Sequence, residues 1–415
     1  MKYILQKSDP KISYLIRKEM QRQEEGMELI PSENYASQAV LEALGSIFTN
    51  KYSEGYPGKR YYGGQENVDA IENLALSRAK KLFGAEHCNV QPLSGAPANL
   101  AVYSALLKPG DTVLGMDLSC GGHLTHGHPV TLPAKIYHFE RYKTEIDGKI
   151  DYEKLRKTAR KVKPKILLAG FSSYTRKINY SAFKKIAQEV GAISMFDMAH
   201  VAGLIAGKAY PNPVPYFDII TTTTHKSLRG PRGGMILCKK EFASAIDKAV
   251  FPGLQGGPHE NNIASKAVAF GEALLPSFRV YAKQVMVNAK ILEKEFKRRK
   301  YHLVFGGTDS HMLVIDIVKS RNLTGKQAQD ILDEVGITLN KNVIPNDLRG
   351  PMDPSGIRLG TPAITTRGMK ENEMKIIVDS IDRAFLASGK PKELKSIRKE
   401  VMALCKQFPV YKKNK

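Results

Sequence analysis

Phe217-Asp218-Ile219-Ile220-Thr221-Thr222-Thr223-Thr224-His225-Lys226-Ser227-Leu228-Arg229-Gly230-Pro231-Arg232-Gly233-Gly234-Met235-Ile236-Leu237 reads as strand, loop, strand. Its first run is β-branched and largely apolar, its middle carries proline and glycine, and a second apolar run follows at once. Lys226 therefore sits where a buried strand opens into a loop. An ammonium there is poorly solvated, its pKa falls, and the neutral amine is the form that attacks a carbonyl. Lys226 is thus a candidate Schiff-base lysine; the plain alternative is a strand-end lysine reaching out to water.

Upstream, two further features fit a cofactor. Ser94-Gly95-Ala96-Pro97-Ala98-Asn99 precedes a helix running to Leu107, with Pro97 suited to a first helical turn. Free backbone N–H groups and the helix dipole at such a start hold a phosphate, although Ser-Gly before a helix is also an ordinary N-cap. Asp197 ends an apolar strand over 192–196, where a carboxylate can pair with a protonated pyridine nitrogen or serve only as a loop aspartate. Phosphate cup, pyridinium partner and amine, on successive elements of one sheet, are the protein contributions that pyridoxal phosphate requires.

Around these features strands and helices alternate, with strands expected over 112–116, 135–139, 166–171 and 192–196, and helices over 152–162 and 181–190. That rhythm argues an α/β fold with an open, mostly parallel sheet covered by helices, which binds ligands at the carboxyl ends of its strands. Past residue 260 a long helical stretch broken near Pro276 leads to a strand over 312–318, a helix over 327–335 and further short elements, a smaller C-terminal α/β domain. The division expected is an N-terminal arm and interface segment over 1–75, a large cofactor-binding domain over 76–275 and the small domain over 276–415. Ahead of the sheet, Ile12, Leu15, Ile16 and Met20 mark an amphipathic helix ended by Gly26, residues 28–35 read as a loop, and Val40, Leu41, Leu44, Ile47 and Phe48 form a second helical face.

A chain of 415 residues exceeds one ordinary core. No apolar run approaches the roughly 20 residues of a membrane span, so a soluble, unexported, cytoplasmic protein is expected. Cys88, Cys120, Cys238 and Cys405 are too dispersed for a zinc site or a disulfide framework, and no metal is expected. The net charge is +22; the nine basic and two acidic residues over 390–415 contribute +7 of it. With only Phe408 and Tyr411 to stack on bases, that tail reads as a solvated face, and nucleic acid is not an expected partner.

Residues 50–64 break every period and hold five tyrosine or arginine side chains and four glycines, an irregular loop of the functional kind. Together with Ser32-Glu33-Asn34, this stretch, Lys51-Tyr-Ser-Glu-Gly-Tyr-Pro-Gly-Lys-Arg-Tyr-Tyr-Gly-Gly, resembles serine hydroxymethyltransferases, fold type I (aspartate aminotransferase-like) pyridoxal-phosphate enzymes. The likeness continues through Gly121-Gly-His-Leu-Thr-His-Gly, Asp197-Met-Ala-His-Val-Ala-Gly, Thr221-Thr-Thr-Thr-His-Lys-Ser-Leu-Arg-Gly-Pro-Arg-Gly-Gly, Phe251-Pro-Gly-Leu-Gln-Gly-Gly-Pro, Asn340-Lys-Asn and Gly356-Ile-Arg-Leu-Gly-Thr-Pro.

The resemblance implies the roles. Lys226 holds the cofactor, Asp197 keeps its ring nitrogen protonated, His123 stacks on the ring, and Ser172 and His200 hydrogen-bond near the ring hydroxyl and the substrate. His225 joins the catalytic and cofactor-contacting set, and Ser94, Gly95 and Ala96 take the phosphate. Arg358, assisted by Ser32, receives the amino-acid carboxylate, because a guanidinium fork meets it with two bonds. Glu54 is the acid/base carboxylate beside the serine side chain, and Tyr61 and Tyr62 line the substrate pocket. Tyr52, Glu54 and the Gly256-Gly257 turn come from a neighbouring subunit, which requires a homodimer with shared sites. Tetrahydrofolate falls to Leu118, Gly122, His123, Leu124, Asn342, Gly350, Pro351 and Met352.

The implied reaction converts serine and tetrahydrofolate reversibly to glycine and 5,10-methylenetetrahydrofolate; a folate-independent aldolase acting on threonine-like β-hydroxy amino acids is the rival. The phosphate loop departs from the family's His-Ser-Gly-Ser-Gln-Ala-Asn, since Ala96 lacks a hydroxyl and Pro97 follows it, while Cys120 and Met352 replace a common histidine and phenylalanine. His126 and His128 read as loop residues, Arg229 and Arg232 as serving the fold or the substrate, and Tyr56 as packing.

Overall fold

The computed structural model describes residues 2–145 and 147–411. Lys412, Lys413 and Lys415 of the basic tail lie outside the described residues. The structure is α/β, built on a seven-stranded, mostly parallel sheet. Across it the strands run His87–Asn89, Gly234–Cys238, Ile219–Thr223, Ile193–Asp197, Ile166–Gly170, Thr112–Met116 and His138–Tyr142. Gly234–Cys238 is antiparallel to both neighbours, and the other adjacent pairs are parallel. Registry brings Gly170, Asp197 and Thr221 side by side, so the ends of three central strands share one edge.

Central strands buried on both faces read as continuous apolar runs, as Ile166–Gly170 and Gly234–Cys238 do. Helix Gly95–Leu106 lies against the Ile219–Thr223 and Gly234–Cys238 strands. Helices Tyr152–Val162 and Tyr180–Val190 each bury one stripe, headed by Leu155 and Ala159 in the first and Phe183 and Ile186 in the second.

A four-stranded antiparallel sheet, His302–Leu303, Met312–Asp316, Gly356–Gly360 and Asn340–Asn342 in that order, forms the second layer system. Its core contains Leu313, Ile315, Ile357 and Leu359 with Ile377 and Ile381 of helix Glu371–Leu386. Met27 and Leu29 from the N-terminal segment join that core.

Several expected elements are corrected. The strand expected over 135–139 is the end of a helix, Leu132–Ile136, followed by the strand His138–Tyr142. Pro133 starts that helix, and pairing of His138 with Thr112 sets where the strand begins. The strand expected to run to 318 stops at Asp316, whose side chain accepts from Lys319 N and caps the helix Ile317–Arg321. The stretch over 28–35 is not all loop, since Met27–Glu28 pairs in parallel with Ile337–Thr338. The second helical face is cut at Gly45, leaving helix Gln38–Leu44 and a 3-10 turn Ile47–Asn50, with Ile47 81% exposed. The amphipathic helix expected to open the chain is the second one, Pro10–Glu25 after Lys2–Ser8, and it exposes Ile12, Leu15 and Ile16. Among the described residues no helix is long and apolar enough to cross a membrane.

Candidate active site

A cavity of about 560 Å³ opens at the carboxyl ends of the central strands. Sixteen of the residues expected in the site line it. They include Ser94, Gly95 and Ala96, and His225, Lys226 and Asp197. The lining also holds His123, Ser172, His200, Ser32 and Arg358, and Leu118, Gly122, Leu124, Asn342 and Pro351.

Lys226 stands three residues past the strand Ile219–Thr223, on a loop closed by Thr224 N to Gly233 O, Gly230 N to Thr224 O and Thr224 Oγ1 to Pro231 O. Asn34 Nδ2 donates to the Lys226 carbonyl at 3.0 Å, and Ser227 Oγ donates to the His200 carbonyl at 2.9 Å. The main chain is thus tied on both sides of the lysine. Burial pushes its ammonium down to about 8; Asp197 opposes that, and Arg358 and Arg232 add to it. A usable share of neutral amine exists near neutral pH, as a carbonyl-attacking lysine needs.

Asp197 is the last residue of its strand, one position inside the expected boundary. Burial pushes its carboxyl up, but hydrogen bonds from His126 and Asn99 and the nearby histidines outweigh burial and hold it well below the usual range. Asn99 Nδ2 donates to Oδ2 at 3.0 Å, His126 Nε2 lies 3.2 Å from the same oxygen, and Ala199 N donates to Oδ1 at 3.0 Å. A carboxylate kept ionised deep in a pocket suits a cationic ring nitrogen. His126 is therefore no bystander of its loop. It is 1% exposed and orients Asp197. Among the described residues His123, His126 and Asp197 also form the one trio whose ligand atoms lie within 4.8 Å of one another, a spacing that the His126 to Asp197 contact accounts for.

Ser94, Gly95 and Ala96 stand at the start of helix Gly95–Leu106. Ser94 occupies the N-cap without spending its hydroxyl on a cap bond, and a Cβ on Gly95 would sit 2.8 Å from Thr223 Cγ2. The first-turn N–H groups and the Ser94 hydroxyl are left for an anion. His225 carries a buried Nδ1 without a protein partner, and burial, then Arg232 and Lys226, lower its pKa to about 3. His123 is lowered to about 4, chiefly by burial, and its Nδ1 lies 2.7 Å from Thr125 Oγ1. These donors, the carboxylate and the amine fit pyridoxal phosphate.

Arg358 projects from the strand Gly356–Gly360. Its Nε donates to Asn340 Oδ1 at 3.0 Å and its NH1 to the Ser172 carbonyl. Burial lowers it to about 10, so it stays charged at neutral pH.

The remaining expected residues lie off this cavity. Tyr52, Glu54, Tyr62 and the Gly256-Gly257 turn form a second group. Tyr52 OH donates to Glu54 Oε1 at 3.3 Å, the Tyr52 and Tyr62 rings meet at 5.2 Å, and a Cβ on Gly257 would be 3.3 Å from the Tyr52 ring. Tyr61 packs on Phe251 at 5.8 Å. The loop is rigid at its root. Arg60 NH1 donates to the carbonyls of Ser53 and Gly55, on either side of Glu54, at 2.9 Å each, while Nε and NH2 bind Asp69 and Glu72. Gly55 has φ +101°, and a Cβ there would meet Lys59 O at 2.2 Å. Gly350 and Met352 do not line the cavity and are exposed, Met352 by 77%. Arg229 serves the fold, stacking 4.2 Å from the Tyr281 ring centroid, and Arg232 lines the cavity. Tyr56 is hydrogen-bonded as well as packed, donating to Asp247 O at 2.7 Å.

Sequence reasoning missed the roles of His126, Asn99 and Asn34, although each lies inside a quoted motif. A polar residue in a glycine-rich or helix-starting motif is the signal that singles them out. His311, fully buried against His200, carried no such signal.

The sequence pattern of the family described as Serine hydroxymethyltransferase matches residues 5–381. A serine hydroxymethyltransferase of Desulfotalea psychrophila is 55% identical over 405 residues, covering 98% of this chain and 95% of that protein.

Proposed function

The chain belongs to the serine hydroxymethyltransferase family, and on that premise we propose how its residues divide the work. The enzyme interconverts serine with tetrahydrofolate and glycine with 5,10-methylenetetrahydrofolate. A folate-independent aldolase is not the favoured reading.

The observation that carries the reading is one cavity lined at once by a lysine lowered to about 8, an aspartate kept ionised and a charged arginine. Bound pyridoxal phosphate supplies an electron sink for the bonds at the substrate's α-carbon. Lys226 is its covalent anchor, Asp197 its ring-nitrogen partner, and Ser94, Gly95 and Ala96 with the helix start hold its phosphate. His123 would cover the ring of a bound cofactor, and Ser172, His200 and His225 line the same cavity. Arg358 and Ser32 orient the amino-acid carboxylate, which places the α-carbon bonds. Leu118, Gly122, Leu124, Asn342 and Pro351 receive the folate.

Glu54 exchanges a proton with the serine hydroxyl side chain from the neighbouring subunit of a homodimer, with residues 1–75 as the interface arm. Support comes from the absence of Tyr52, Glu54 and the Gly256-Gly257 turn from the lining of the chain's own cavity and from the exposure of Tyr52 and Tyr61 on the same loop. Four buried free cysteines fit a reducing cytoplasm.

The test is serine-to-glycine conversion with and without tetrahydrofolate. Strong dependence on the folate is expected; equal rates in both conditions would sink the transferase reading.

A further inference from the structure

A second buried lysine lies outside the cavity lining. Lys266 belongs to the helix Glu260–Ala273 and is 1% exposed. Its Nζ donates to three main-chain carbonyls, Val90 O at 2.7 Å, Pro92 O at 3.1 Å and Gly234 O at 3.0 Å. An ammonium has three protons to give, so these carbonyls use the group completely, as burial of a charge requires. Burial pulls its pKa down to about 7, against Cys88, Glu72 and Glu260, and the three bonds exist together only in the charged form.

The three carbonyls belong to the two segments that carry the phosphate cup and the anchoring amine. Val90 and Pro92 lie between the strand His87–Asn89 and Ser94, the N-cap of helix Gly95–Leu106. Gly234 opens the strand that follows the Lys226 loop, and its N–H donates to Pro92 O at 2.9 Å. The pairing of these two strands ends at Asn89, and Pro92 has no N–H with which to extend it. Past that point side chains hold the stretch over 90–93. Gln255 completes the hold, its Nε2 donating to Gln91 O and its Oε1 accepting from Leu93 N, each at 3.0 Å. Two glycines make the close packing possible. A Cβ on Gly233 would sit 2.5 Å from Lys266 Cε, and one on Gly234 would sit 2.3 Å from Ser94 O.

We propose that Lys266 is a positioning residue for the cofactor's phosphate: by tying the stretch over 90–93 to Gly234, it fixes Ser94, Gly95 and Ala96 relative to Lys226. One small molecule has to reach both segments, with its phosphate at one and its aldehyde at the other. Their separation therefore decides whether both contacts form at once. Lys266 acts through these main-chain segments and not by contact with the ligand. The proposal rests on the pyridoxal-phosphate reading of the cavity.

The experiment compares pyridoxal phosphate with pyridoxal, which lacks the phosphate, by equilibrium dialysis against the full chain stripped of cofactor. In Lys266→Met, which keeps a long side chain and removes the donors, affinity for pyridoxal phosphate is expected to fall about tenfold or more relative to that for pyridoxal. Equal weakening of both ligands, or no change in either, overturns the proposal, because a general loosening of the fold does not single out the phosphate. Ser265→Ala, on the same helix, loses a 2.7 Å bond to Val40 O and is expected to leave the ratio unchanged. A fall equal to that of Lys266→Met would assign the effect to the helix and overturn the role of Lys266. If thermal melting shows Lys266→Met unfolded, Gly233→Ala, whose methyl group displaces the lysine, decides by the same ratio. Wild-type protein that does not bind pyridoxal phosphate sinks the cofactor reading itself, whereas ordinary wild-type binding with an unchanged ratio in the variant sinks the role of Lys266 alone.

Discussion

The cavity at the strand ends and the loop over 50–64 are both built from the family's motifs, yet they stand differently in the single chain. Around the cavity, Lys226 and Asp197 are buried and Arg358 is partly buried, and the three are tied to Asn34, Asn99, His126 and Asn340 of the same chain. On the loop, Arg60 grips the main chain either side of Glu54 just as firmly, but Tyr52 and Tyr61 remain 56% and 74% exposed. Strand ends converge because sheet registry places them together. The loop, in contrast, leaves aromatic side chains uncovered in the single chain. Under the homodimer proposed above, the contrast separates a half-site that one chain completes from one that it only displays.

The sharpest break of that contrast is Lys226→Ala. It removes the anchor from the completed half, and turnover is expected to vanish, along with the cofactor label that borohydride reduction fixes on wild-type protein. Peptide mapping checks this; recovery of the label on another lysine overturns the assignment.

Next in size is Glu54→Gln, which keeps shape and removes proton exchange. Serine turnover is expected to fall about 10²–10⁴-fold, the contribution of a positioned acid–base group, with glycine binding retained. Mixing Lys226→Ala with Glu54→Ala subunits is expected to regain activity through one intact hybrid site, measured after subunit exchange has been demonstrated. No recovery would remove the shared-site reading and return Glu54 to its own chain.

A smaller effect is expected inside the completed half. His126→Phe deletes a hydrogen bond to the Asp197 carboxylate, costing about 1.5–3 kcal/mol. Asp197 is depressed below its ordinary 3.8 in the folded state, so its contribution is present above that pH and is lost as pH falls through the depressed value. Thermal melting of the cofactor-free proteins should show the deficit at neutral pH and its disappearance in strong acid. A deficit independent of pH would detach His126 from Asp197.

The smallest effect belongs to Met352→Ala. At 77% exposure the side chain touches little in its own chain, and stability is expected to change by less than about 0.5 kcal/mol in urea unfolding. A larger loss would mean that the cavity mouth is more complete in one chain than its exposure indicates.

Read without coordinates, the amino-acid sequence determined much of this protein. Period and composition placed the strands Thr112–Met116 and Ile193–Asp197 and helix Tyr152–Val162 within a residue, because central strands and amphipathic helices write their burial into local pattern. Its motifs supplied Lys226, Asp197 and Arg358 as candidates, since few residue types perform those chemistries. Tertiary structure alone decided the rest. His138 enters a strand through pairing with Thr112, and Met27 enters one through Ile337, contacts no local window contains. His126 meets Asp197 from 71 residues away, and His311 meets His200 from 111 residues away. A buried polar group is defined by the partner that satisfies it, and that partner is chosen by sheet registry and packing between distant segments, not by its neighbours along the chain.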